Sequence, residues 1–536
     1  MRKNILLISI AALALTSCLE EDPRDRLDHT EAFTTVDDLI LNTVANLYNY
    51  IGGHEDSQGL QGTSRGVYDL NTFTTDEAIL PIRGADWFDG GVWLALYLHE
   101  FDVGPEPIGG SWKYLYKVIS LCNQALEDLD NHAQLLKPDA LTYYKAETRA
   151  LRAMFYWYLL DLFGNVPYIT SANTYIADVD QTSRKELFYK VWDELLYVQD
   201  ILAEEHSNLE GDFYGRMTAP VCWFLLAKMA LNAEIWTDND WTDEKRTAGR
   251  NILLDCGEEY LNAWDACLYW CSKIQNEGYE LEPLYANNFA VKNETSKENI
   301  FVIPMNKNLY ANTFKNLFRS RHGNHGKALH MASENGTCAT ISAVRTYGYG
   351  TDHVDNRFYY NFYSDTVYVD NVMVRLDDGT PLVYSPLEVA IDLTGSPYEK
   401  TGGARMAKYE IDRTAYSDGL LQNNDIVLFR FADVLLMMSE AKVRNGENGD
   451  AEMNLVRDRV GMDFRPATLD NLLAERLMEL QWEGWRRQDL IRFDRFHLPY
   501  DLREQNEDEA DRHTTVFPIP GDVIALNRKL KQNPGY

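Results

Sequence analysis

Apolar side chains recur at three- and four-residue intervals through Trp112, Leu115, Tyr116, Ile119, Cys122, Leu126 and Leu129, a stripe that predicts an amphipathic helix ending near Asp130 and Asn131. After Pro138, with Asp139 placed to cap, a second stripe runs through Tyr144, Thr148, Leu151, Met154, Phe155, Tyr158, Leu159 and Leu162 and stops at Gly164 and Pro167. The two make a helical hairpin. A similar pair follows: Phe188, Val191, Trp192, Leu195 and Tyr197 lead to Leu202, and Thr218 with Pro220 opens a helix over 221–236. A third helical block is expected over 425–445, 450–460 and 470–493. Between about 280 and 424 the pattern changes to Gly, Asn and Asp clusters, with pieces at 301–304 and 367–374 that predict short strands.

Trp112, Leu115, Tyr116 and Ile119 follow the spacing of a tetratricopeptide first helix, and Phe188, Val191, Trp192 and Leu195 repeat it. The expected fold is therefore mainly α: tetratricopeptide-like helical hairpins forming a scaffold, with a loop-rich irregular insert carrying short strands. At the N-terminus, Arg2 and Lys3 precede an apolar run from Ile5 to Leu15, and Thr16 and Ser17 lead to Cys18. This is a secretory signal, too short for a membrane span, which takes about 20 residues. Leu15-Thr16-Ser17-Cys18 resembles the bacterial lipobox, which makes Cys18 the acylated lipid anchor. Glu20, Glu21 and Asp22 resemble the acidic tags that place some lipoproteins on the outer surface. The chain thus divides into a cleaved signal peptide (1–17), a lipidated acidic tether (18–30), an N-terminal helical-repeat part (31–279), the insert (280–424) and a C-terminal helical part packing back on the scaffold (425–536).

Charge narrows the function classes. Lys and Arg number 51 against 82 Asp and Glu, a formal net charge of −31, and cleavage before Cys18 removes two further cations to give −33. Nucleic acid is excluded as a partner, since tracking phosphates needs clustered cations. An acidic chain poor in aromatics would not fold, but 12 Trp, 32 Tyr and 21 Phe supply a core. Beyond the anchor, Cys122, Cys222, Cys256, Cys267, Cys271 and Cys338 read as buried thiols, because a lone CxxxC is neither a zinc nor a redox motif.

Several short motifs stand in a fixed order. They begin with Thr75-Asp76-Glu77, the run from Arg83 through Gly91 with Trp93, and Trp112 and Asn123, then continue through Glu147, Arg149, Arg152 and Tyr156 into Gly164-Asn165-Val166-Pro167. Gly278-Tyr279-Glu280-Leu281, Glu298-Asn299-Ile300-Phe301, and Asp352, Asp355 and Arg357 follow. Arg430, Ala432-Asp433-Val434-Leu435-Leu436, Glu440-Ala441, Asn454, Arg457, Arg459, Glu475-Arg476, Glu479-Leu480, Glu483-Gly484, Arg487 and Asp489-Leu490-Ile491-Arg492 come next. The chain closes on Phe517-Pro518-Ile519-Pro520, Asn527 and Gln532-Asn533-Pro534-Gly535-Tyr536. Together with the lipobox, this set resembles the SusD/RagB family of outer-membrane nutrient-uptake lipoproteins over nearly all of the mature chain. The resemblance implies four tetratricopeptide-like hairpins and a surface that captures oligosaccharide without chemistry. It also implies a partner, a SusC-like TonB-dependent transporter over which the lipoprotein sits, at the cell exterior of the outer membrane. Some members handle peptides or other nutrients.

Sugar capture needs flat apolar faces for the C–H side of a pyranose and polar groups for its hydroxyls. Arg83, Asp86, Trp87 and Trp93, with Phe88 and Asp89 in the same Gly-rich loop, meet that description. Arg345, Tyr347 and Tyr349 around Gly348 and Gly350 are a second candidate set, whereas Trp157, Trp192, Trp223, Trp482 and Trp485 fall within expected helices and belong to the core. Glu475, Glu479 and Glu483, at helical spacing, read as a structural ion network with nearby arginines and not as a catalytic pair. His322, His325 and His330 read as lining a polar cleft and not as zinc ligands, and Asp352 and Asp355 as turn caps. No catalytic residue, metal or cofactor is expected. The competing readings are a surface glycoside hydrolase, for which the carboxylates speak, and a helical-repeat adaptor that binds proteins or peptides only.

Overall fold

The computed structural model describes residues 33–53, 58–243, 245–308, 314–415, 422–504 and 507–536, so Cys18 and the acidic tether lie outside the described residues. Helix α1 (Gly110–Asn131) buries Trp112, Leu115, Ile119, Cys122 and Leu129 and turns Lys113 and Lys117 to solvent. In α2 (Pro138–Phe163) the proline takes the first helical position and holds Lys137 before it extended, so Lys137 occupies the cap position and Asp139 sits in the first turn. The second half of α2 is buried all round because α1 lies on one side and α3 (Arg184–Gln199) on the other. The Ser183 hydroxyl caps α3, and α4 (Ala219–Leu231) follows, again led by a proline in its first turn. Asn262 caps α5 (Ala263–Asn276).

After the insert come α6 (Phe431–Asn445), α7 (Asp450–Arg459), α8 (Leu469–Leu480) and α9 (Arg486–Arg492). Neighbours stack in sequence: α1 on α2, α2 on α3, α3 on α4, α4 on α5, α5 on α6, and α6 on both α7 and α8. The molecule is mainly helical, with its strands in small two-stranded sheets. Residues 277–430 stand between α5 and α6, yet these two helices pack together, so the insert leaves from between the two members of one pair. Trp157, Trp192, Trp223, Trp482 and Trp485 are all buried in the main core, and the six described cysteines are buried and free.

Two expectations are corrected. Residues 426–430, expected as helix, form strand β2 (Ile426–Arg430), which pairs antiparallel with β1 (Asn299–Ile303). The run Ile426, Val427, Leu428, Phe429 is apolar on both faces and is buried on both, as a short strand packed within the core must be. The helix expected through 470–493 is broken after Leu480, where Trp482 (φ 68°) and Gly484 (φ 75°) reverse the chain before α9. Glu483 therefore leaves the helical face of Glu475 and Glu479.

All three glutamates nevertheless meet in one buried ion network. Arg430, at the end of β2, reaches Glu298 (2.8 Å), Glu479 (2.6 Å) and Glu483 (2.8 Å). Arg357 binds Asp355 (2.8 Å), Glu475 (2.6 Å) and Glu479 (3.0 Å); Arg457 binds Glu475 (2.7 Å); Arg459 binds Glu298 (2.8 Å) and Glu479; and Lys408 binds Glu483 (2.5 Å). Five cations meet five carboxylates, so the cluster is neutral, and it has no unpaired carboxylate to serve as a catalytic acid. Burial opposes ionisation of Glu479, but Arg459, Arg430 and Arg357 hold its carboxyl far below the usual range. In a second cluster Arg492 and Arg444 likewise outweigh burial and push Glu440 down to about 2.

Two tests follow from these ion pairs. Arg430→Met takes one partner from three buried carboxylates and leaves the cluster with one uncompensated negative charge, which is expected to cost about 3–5 kcal/mol in urea unfolding. Because Glu440 and Glu479 have lower pKa values folded than unfolded, their stabilisation is full above about pH 4.5 and is lost as pH falls, so the unfolding midpoint should drop steeply between about pH 4.5 and 2.

Candidate functional site

A cleft of about 430 Å³ opens between the N-terminal loops and the insert, lined by Ser64, Arg65, Asp86, Trp87, Asp89, Trp93, Arg319 and Glu334. Its wall begins with a tight turn in which Arg83 and Asp86 exchange backbone hydrogen bonds (3.0 and 3.2 Å) around Gly84, whose φ of 68° suits glycine. Arg83 anchors this turn from below. Its guanidinium donates to the carbonyls of Gly336 (3.3 Å), Glu399 (3.0 Å) and Gly402 (2.9 Å), and burial, with Arg405 nearby, lowers its pKa to about 9.

Trp87 takes a left-handed conformation (φ 67°), rare for so large a side chain. It is held there by its indole N–H, which donates to the Glu334 carbonyl (3.1 Å), and by an edge contact with Trp93 at 6.4 Å between ring centroids. Its ring lies against the backbone of Gly336, where a Cβ would come within 2.6 Å of the indole. The ring is half-buried, and the adjacent Phe88 is 56% exposed.

Trp93, at the start of the helix Val92–Leu98, is buried. Its N–H donates to Asp89 (2.8 Å), which also pairs with Arg65 (2.8 Å), and the Arg65 guanidinium lies 5.3 Å from the Trp93 ring centre. Arg319 forms a two-bond pair with Asp69 (3.1 and 2.6 Å); burial works against its charge, but Asp69 more than restores it. Partial desolvation raises the Glu334 carboxyl, against the pull of Arg319 and Lys315.

Asp86, Trp87 and Trp93 thus share one cleft, to which Trp93 offers only a mostly covered ring. Arg83 does not line it. Its guanidinium is consumed by backbone carbonyls, so its place is in the loop's foundation. The second set separates. Tyr347 is buried, donating to the Met478 carbonyl (2.9 Å) and accepting from Asn361 (2.8 Å), which removes it from any ligand surface as placed. Tyr349 stacks on Phe358 and donates to Asp365 (2.9 Å), while Arg345 is exposed. None of the three lines the Trp87 cleft. His322 caps the helix Gly323–Leu329 through Nδ1, and His325 faces the Tyr384 hydroxyl (3.1 Å), with burial lowering both imidazoles to about 4 and about 3.

Ser64, Arg65, Arg319 and Glu334 complete the cleft and were not picked out as ligand contacts. Trp87 and Glu334 are 247 positions apart in the chain, so no local pattern links them. The nearest signal is the turn sequence Asn335-Gly336, which marks close backbone approach. Two other clefts, of about 490 and 410 Å³, are walled mainly by apolar groups such as Ile40, Val44 and Val302 in one, and Trp112, Ile169 and Leu526 in the other. The Trp87 cleft alone among these three combines a half-exposed indole with several carboxylates.

The structure thus sets a loop-built cleft of indoles and carboxylates on a stack of helical pairs. The chain belongs to the SusD family: family models described as "SusD family" and "Starch-binding associating with outer membrane" match residues 277–536 and 67–218. It is 24% identical over 434 residues, 73% of this chain and 72% of the relative, to the starch-binding protein SusD of Bacteroides thetaiotaomicron. A SusD-like protein of Bacteroides ovatus is 22% identical over 90% of this chain and 82% of its own length. Among solved structures, surface glycan-binding protein A of Bacteroides thetaiotaomicron, in complex with laminarihexaose, superposes with a TM-score of 0.69 at 20% identity, covering 94% of this chain and 100% of that one.

Packing separates the two indoles experimentally. Trp93→Ala removes a buried side chain wedged against Phe73 and Trp87, and should cost about 3–5 kcal/mol in urea unfolding. Trp87→Ala, at a half-exposed ring, should cost about 1–2 kcal/mol.

Proposed function

We propose that this chain is a surface glycan-binding lipoprotein, anchored through Cys18 in the outer membrane, that captures oligosaccharide and passes it to a SusC-like TonB-dependent transporter. The observation that carries the reading is the Trp87 cleft. The indole is fixed in a left-handed backbone conformation with its half-buried ring lining the cleft, and Asp86, Asp89 and Glu334 line the same cleft. A pyranose places its C–H face on such a ring and its hydroxyls on such acceptors. The ligands named for the relatives, starch and laminarihexaose, support a glycan as cargo.

Binding and release suffice for this role, and the carboxylate behind Arg319, Asp69, is taken up in a buried ion pair. Tethering beside a transporter raises the effective concentration of captured cargo, so modest affinity serves handover better than tight binding. Trp87→Ala is expected to weaken glycan binding about tenfold or more in calorimetry against a neutral oligosaccharide panel, with the circular dichroism spectrum unchanged. Unaltered affinity would place the glycan elsewhere. Trp93→Ala is the poorer probe because its fold cost confounds the readout.

A further inference from the structure

The polar groups of the Trp87 cleft are unevenly occupied. Arg319 is buried, with two bonds to Asp69 and a third to Asn316, and Arg65, whose side chain is 34% exposed, gives one guanidinium nitrogen to Asp89 with Glu106 a further 4.0 Å contact. Lys315 acts on Glu334 only at a distance. The two indole N–H groups are also spent, on the Glu334 carbonyl and on Asp89. Beside the Ser64 hydroxyl and the Arg65 N–H groups that Asp89 does not engage, what stays open to a ligand is acceptor in character: the Asp86 and Glu334 carboxylates, both exposed at the cleft and in no ion pair among the described residues, and the Asp89 oxygen that neither Arg65 nor Trp93 engages, so that carboxylates outnumber the one partly exposed cation. Such acceptors are satisfied by donors on the ligand. A hydroxyl donates; a carboxylate or sulfate only accepts, and brings a like charge into a site beside two unpaired carboxylates on a chain of net charge −31.

We infer that this cleft selects uncharged, hydroxyl-donating oligosaccharides and rejects uronate- and sulfate-bearing ones, with Asp86 and Glu334 as the selecting residues. The inference rests on the glycan-receptor reading above and adds to it the charge class of the cargo and the side chains that enforce it. Specificity of this kind works by exclusion: the indole face tolerates many sugars, and the carboxylates discriminate among them by charge.

The test uses the mature full-length protein and a panel of neutral glucose, mannose and galactose hexasaccharides, each paired with a derivative whose primary alcohols have been oxidised to carboxylates. Calorimetry at low ionic strength is expected to find at least one neutral binder whose oxidised counterpart binds tenfold or more weakly. In Asp86→Asn/Glu334→Gln that gap should narrow, and added salt should narrow it in the wild type. An oxidised member that binds as well as its parent and is lost in Trp87→Ala would overturn the inference while leaving the receptor reading intact. A gap unchanged in the double variant would equally remove Asp86 and Glu334 as the selecting groups. Failure of every member, neutral or oxidised, to bind the wild type would instead overturn the receptor reading, and this inference with it.

Discussion

The buried arginine–carboxylate network is the constraint on which the rest of the structure depends. Arg430 sits where β2 meets α6, Glu298 where the chain enters β1, Glu479 at the end of α8, and Arg357 within the insert. Desolvating ten ionised groups is costly, and only mutual pairing in good geometry offsets it. Such a cluster adds little net stability compared with a greasy core. It does penalise any arrangement in which one member is displaced, which fixes the insert in one position against the helices.

That fixed position is what makes a cleft available. Trp87, Asp89 and Arg65 come from loops before α1, whereas Arg319 and Glu334 come from the insert. Neither part forms the cleft alone. Further ties align the two sides: Arg83 binds the carbonyls of Gly336 and Gly402, and the short strands Ala78–Ile79 and Cys338–Ala339 pair. Asp76 pairs with Arg486, and Glu77 accepts the Trp482 N–H, fastening the same region to the C-terminal helices. The motif Thr75-Asp76-Glu77 thereby acquires a structural meaning.

Helices were legible where a single periodicity governed burial. The stripe from Trp112 to Leu129 fixes α1, and Pro138 and Gly164 bracket α2, because those signals are local. The strand at 426–430 was not, since an apolar run shorter than two helical turns has no period of its own and takes its form from its partner at 299–303. Trp87 and Asp86 were recognisable as a cleft's raw material from their Gly-rich surroundings. Arg83 and Tyr347 were misassigned to the ligand surface because sequence gives residue type but not which side of a loop faces the interior. Glu334 and Arg65 could be found only once the chain was folded.

The split between α5 and α6 carries a consequence for how the molecule comes together. Closing this pair draws its members together across about 150 residues, where α1 and α2 are joined by a few; loop-closure entropy makes that about 3 kcal/mol more demanding. The apolar side of α5 that meets α6 must await a distant segment, and β1 with β2 shortens the wait by bringing the ends of the excursion side by side. The pairing of β1 with β2 is thus the clasp of this long excursion, and a chain that could not form it would bear the full entropy of drawing its own middle shut.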